Sequence, residues 1–249
     1  MDGARVRVFA TPQLWWRVGI VLACIFGVMA QEWRLAFFTT LSVIAVLGYF
    51  SIVLFRMVRD RTTVPVAPRL RGGITLWIVT TALISHVIVE GGANPFPGMM
   101  DADPAVAVEY QSRFFMHYVI PAMVLVDWIV FGPHGIVRWR DALWWLLFPL
   151  AYGVISILRG QWFPHVSDRF PYPFFDPTIS GWGGVALGLL EVVLANAVIA
   201  AGVIGLDRLS AIVARRRNAR RAEVRVESDD QHRSGITGEL PEEQGASPQ

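Results

Sequence analysis

The run Phe37-Phe38-Thr39-Thr40-Leu41-Ser42 sets three hydroxyls at the start of one apolar stretch, and His117 stands at the start of another. A threonine hydroxyl is weak at neutral pH, but an imidazole within hydrogen-bond reach takes its proton as the oxygen attacks an ester carbonyl. Each residue also has a plain structural reading. Thr and Ser hold packed membrane helices together, and a histidine near a helix end meets water at the interface. An ionisable residue inside a membrane is nonetheless a functional candidate by default. The pair acquires chemistry only if separate elements bring it to one level.

The elements follow from composition. The chain has 249 residues, 54% of them hydrophobic, and a mean hydropathy of +0.46, too apolar for an ordinary soluble domain of this size. Apolar runs of about 20 residues, the length a membrane helix needs, recur six times. They predict spans over 14–30, 35–55, 73–89, 114–131, 142–158 and 183–206. A leader peptide has the shape of the first run too, with Val28-Met29-Ala30 resembling a cleavage site, but Leu14-Trp15-Trp16 lengthens it to a span. The prediction is an all-α polytopic membrane protein with an outward-facing polar cavity. Residues 1–13 form a cytoplasmic N-terminus, 14–207 the six-helix domain, and 208–249 a basic tail that becomes disordered from Glu227. Cys24 is the only cysteine, so no disulfide framework exists within the chain.

All 22 basic residues are arginine, and they orient the spans. The N-terminus together with Arg17 at the start of span one, the loops after spans two and four, and the tail hold 18 of the 22. Arg34, Arg113, Arg159 and Arg169 fall on the other side. The positive-inside rule therefore puts both termini in the cytoplasm and the Pro-rich loops 90–113 and 159–181 outside. The proline and aromatic density of the second loop predicts a folded cap at the membrane surface.

Spans two and four then enter from outside, and Thr39 and His117 each lie about one turn in, roughly 6 Å at 1.5 Å per residue. Span three arrives at the same level from inside, bringing Ser85, His86 and Glu90, the last two at i,i+4 spacing. Pro121 lacks the N–H that would bond the His117 carbonyl, which makes that turn a fitting cavity wall. A group to orient the imidazole is not evident. Asp127 is roughly 15 Å along the same helix and is expected to pair with Arg138 or Arg140. Glu90, Asp101, Asp103, Asp168 and Asp176 are the nearer carboxylates. Glu191 and Asn196, mid-span, serve a proton path or bond across helices, the second being favoured. His86, His117 and His165 lack the spacing of a metal site, and no cofactor is expected. The arginine-rich tail meets anionic headgroups, and nucleic acid is not an expected partner.

Phe37-Phe38-Thr39 opening a span, His117 followed by Pro121 and by Asp127, and the loop triplet Tyr172-Pro173-Phe174 together resemble the androgen-induced protein family and related bacterial six-span proteins. The resemblance covers about 33–206. It implies a six-span hydrolase of fatty acid esters of hydroxy fatty acids, with Thr39 as nucleophile and His117 as catalytic histidine. The histidine-to-proline spacing is one residue shorter here than in the animal members, and Thr40 is a neighbouring alternative hydroxyl. The expected function is hydrolysis of a lipid ester in the plasma membrane, with Thr40, Ser42, Ser85, His86, Glu90, Pro121 and Tyr172 as possible site lining. A small-molecule or ion transporter using Glu191, Asn196 and His86, or a non-catalytic membrane scaffold, is the alternative.

Overall fold

The computed structural model describes residues 7–30 and 35–237. Among them there is no strand, and six helices are long and apolar enough to cross a membrane. They are α1 (Pro12–Met29), α2 (Phe38–Asp60), α3 (Pro68–Ile88), α4 (Pro104–Val130), α5 (Trp139–Trp162) and α6 (Pro177–Thr237), the last kinked at Gly181, whose backbone is not helical. The predicted connection 31–34 and the ends 1–6 and 238–249 lie outside the described residues.

The helices fall on the six predicted runs with displaced ends: α2 begins three residues later than predicted, while most of the others reach beyond their runs at one end or both. The largest difference is in α4, where 104–113 was expected to be polar loop and is helix instead. The start signal is local: the Asp103 carboxylate accepts from the Ala105 N–H at 2.9 Å, and Pro104 follows at the first helical position, where its missing N–H costs nothing. The chain divides into two units, Met1–Arg208 and Leu209–Gln249. In the second, helix continues to Thr237 where disorder was predicted from Glu227, consistent with the helix preference of its Ala, Arg and Glu residues.

Within the first unit α3 is the most enclosed helix, packed against α2, α4 and α5. Its close approach to α5 depends on Gly72 and Gly73, where the buried Trp145 ring lies flush on the backbone; a Cβ at Gly73 would sit 2.8 Å from that ring. At Gly72 an added Cβ would overlap it outright. Overpacking of this kind costs about 1–3 kcal/mol, more than alanine's roughly 1 kcal/mol advantage in helix propensity. Gly72→Ala is therefore expected to lower the melting temperature in detergent. Gly48→Ala in α2, where the added Cβ meets open space, should leave it level or raise it.

Indole N–H groups tie helices together through backbone carbonyls. Trp16 bonds Met123 at 3.0 Å, Trp77 bonds Trp145 at 2.8 Å, and Trp128 bonds Val203 at 3.1 Å. Asp127 is also a tie, though not to the expected partners. It is fully buried and holds Arg17 at 3.0 Å and Arg71 at 3.6 Å. Arg71 additionally donates to the Phe131 carbonyl at 2.7 Å and lies over the Trp128 ring. Arg138 instead precedes α5, where its backbone N–H donates to the Asp141 carboxylate at 2.8 Å. Sequence distance favoured the nearby Arg138 and Arg140, but packing brings Arg17 and Arg71 in from α1 and α3.

Candidate functional site

The first turn of α2 begins at Phe38, with Phe37 at the cap and no side-chain capping bond. Thr39 and Thr40 follow, both nearly buried. Across from them His117 lies in a wide π turn, Phe115–Val119, where the Ile120 N–H bonds the carbonyl of Phe115 five residues back. Pro121 has no N–H for the His117 carbonyl, so the regular four-residue ladder lapses here and the wider turn takes its place.

That turn brings His117 Nε2 to 3.3 Å from Thr39 Oγ1. The other ring nitrogen, Nδ1, lies 2.9 Å from the Arg113 carbonyl. A carbonyl only accepts, so Nδ1 carries the proton and Nε2 keeps the lone pair that faces the hydroxyl. This is the tautomer a general base requires. The orienting group sought among carboxylates is a backbone oxygen one helical turn earlier. Sequence reasoning missed it because every residue carries a carbonyl. Three of the five carboxylates considered for that role serve elsewhere: Asp103 caps α4, Asp101 accepts from the Asp103 N–H, and Asp176 accepts from Thr178 at the start of α6.

Thr39 and His117 share a cavity of about 240 Å³ with Thr40, Ser85, Glu90 and Tyr172. Asn196 is at its wall as well. The Thr80 hydroxyl donates to Asn196 Oδ1 at 2.8 Å, and Asn196 Nδ2 donates to the Val192 carbonyl. Asn196 thus bonds across helices, as favoured, and Thr80 was not singled out by sequence. Apolar lining comes from Phe38, Ile84, Met116 and Pro149.

Four named residues do not line the cavity. Ser42 is fully buried elsewhere on α2. His86 turns to the Tyr118 hydroxyl, 3.0 Å from its Nδ1, although Glu90 four residues on does reach the cavity. Pro121 acts through the turn rather than by contact, and Glu191 is on an exposed face of α6. The polar path drawn through Glu191, Asn196 and His86 therefore has only Asn196 at the cavity.

The loop between α5 and α6 covers this end of the bundle. Arg159 donates to the Asp168 and Ser167 carbonyls at 2.8 and 3.0 Å, and Arg169 returns a bond to the Gly160 carbonyl at 2.7 Å. The loop carries a buried Phe175 into a cluster with Phe38 and Tyr152, so it is folded onto the helices. Burial pushes the Tyr172 phenol above its ordinary pKa, while the Thr39 hydroxyl and the Phe38 and Thr39 backbone beside it pull in the opposite direction.

Comparison with protein-family models, with curated proteins and with solved structures finds no match to this chain.

Proposed function

We propose that the chain is a multi-pass membrane hydrolase of lipid esters, with Thr39 as nucleophile and His117 as base and then acid. The observation that carries this reading is the Thr39 Oγ1 to His117 Nε2 contact of 3.3 Å, with Nδ1 committed to a carbonyl. In acylation His117 removes the Thr39 proton as Oγ1 bonds the carbonyl carbon. The intermediate collapses, and the protonated imidazole gives its proton to the departing alkoxide. Water then attacks the acyl-threonine by the same route, returning the free hydroxyl and a fatty acid.

Apolar walls beside the pair suit an acyl chain, which supports a lipid over a polar ester. The likeness of Phe37-Phe38-Thr39, His117 with Pro121, and Tyr172-Pro173-Phe174 to the androgen-induced protein family supports the same chemistry. The arginine distribution supports cytoplasmic termini in the plasma membrane, with the cavity opening outward and the basic tail against anionic headgroups.

Labelling with a fluorophosphonate probe, which phosphonylates activated hydroxyls, tests the reading. Wild type and Thr40→Ala are expected to label and Thr39→Ala to remain unlabelled, all three being equally folded by size-exclusion profile. An unreactive wild type, or a Thr39→Ala variant that labels normally, defeats the assignment.

A further inference from the structure

The Thr39–His117 pair explains how a nucleophile forms, but not what stabilises the negative charge that its attack creates. Acyl transfer places that charge on the former carbonyl oxygen, and preorganised donors there commonly supply the largest catalytic effect. We propose that Tyr172 is a third catalytic residue, its phenol O–H donating to this oxyanion together with first-turn N–H groups of α2. The inference rests on the hydrolase reading of the same cavity.

Three observations carry it. First, Tyr172 lines the cavity with Thr39 and His117, and its hydroxyl has the Thr39 side chain and the Phe38 and Thr39 backbone as neighbours. Second, the N–H groups at the start of α2 have no intrahelical acceptor, since a helix leaves its first four donors open. Phe37 has no polar side chain to cap them, and those of Phe38 and Thr39 lie beside the Tyr172 phenol, so donors from the loop and the helix meet at one point. Third, the phenol is held by its ring. Tyr172 stacks on Phe174 at 5.2 Å between centroids and meets Phe37 edge-on at 5.9 Å. The Tyr152 hydroxyl donates to the Ala36 carbonyl at 2.7 Å, fixing the chain just before α2.

The donors act at one moment of the reaction. As Thr39 Oγ1 bonds the carbonyl carbon, the C=O π pair moves onto oxygen, and Tyr172 and the N–H groups hold that charge. When the bond to the leaving oxygen breaks, the pair returns to re-form C=O in the acyl-threonine, and His117 protonates the leaving group. Tyr172 keeps its proton throughout. A phenol serving the substrate carbonyl equally before and during attack would change KM. One matched to the tetrahedral oxyanion changes kcat.

The test is steady-state hydrolysis of p-nitrophenyl acyl esters by the purified full-length chain in detergent. Tyr172→Phe preserves the ring and its stacking while deleting the donor. It is expected to lower kcat about 100-fold, the usual effect of losing one oxyanion donor, with KM within about threefold of wild type. Tyr172→His, which restores an N–H donor, should recover part of the loss, and Tyr172→Phe added to Thr39→Ala should cost nothing further. A Tyr172→Phe kcat within about threefold of wild type, alongside an inactive Thr39→Ala, overturns the role while leaving the hydrolase reading intact. So does a loss confined to KM. Absence of turnover by the wild type overturns the hydrolase reading and this role together.

Discussion

His117→Ala is expected to lower ester turnover by roughly 10³-fold, within the range for removing a positioned general base. The reason is the assignment of the two ring nitrogens. With Nδ1–H given to the Arg113 carbonyl, Nε2 is the acceptor for the Thr39 proton, and without it the hydroxyl must attack while still protonated. Thr39→Ala should produce a loss of similar size. The double variant should be no worse than either single one, because the two residues act as one device. Thr39→Ser retains the oxygen and should retain measurable turnover. His117→Gln is informative because it offers an amide but no basic lone pair, so it should be as impaired as His117→Ala. Turnover near wild type in either histidine variant would assign the proton transfer to another group.

Asp127→Ala is expected to cost about 3–5 kcal/mol of stability, the usual penalty for leaving a buried charge without its partner. Asp127, Arg17 and Arg71 are each 0–1% exposed, so neither guanidinium reaches water when the carboxylate is lost. A melting curve in detergent should show the loss as a large fall in transition temperature. Asp60→Asn provides the contrast. Asp60 pairs with Arg56 one turn earlier at an exposed position, and such pairs contribute about 0–1 kcal/mol. Asp127 lies roughly 15 Å from His117 along the helix. The fraction of Asp127→Ala that folds should therefore hydrolyse ester at the wild-type rate per molecule. A parallel collapse of catalytic rate in well-folded protein would show that the buried ion cluster and the cavity are coupled.

These two sites differ in how far they are legible in sequence. The six helices were legible because apolar run length is a property of contiguous residues, and the observed helices fall on those runs. The shared level of Thr39 and His117 was also legible, since position along a helix is proportional to residue number once the direction of each span is assigned. The start of α4 was missed although Asp103-Pro104 signalled it, because hydropathy outweighed the capping signal in reading the loop.

Sequence by itself thus determined the helical class, the number of long apolar helices among the described residues and the pair of polar side chains most worth joining. Tertiary structure decided what depends on azimuth and on contact between distant segments. It turned Glu90 toward the cavity and His86 toward Tyr118. It gave Asp127 to Arg17 and Arg71 rather than to its sequence neighbours, and it selected the Arg113 carbonyl to hold the imidazole. Rise along a helix is fixed by covalent geometry and hydrogen bonding. Which face meets which neighbour is fixed only when the helices pack, and a backbone carbonyl has no residue type by which sequence could single it out.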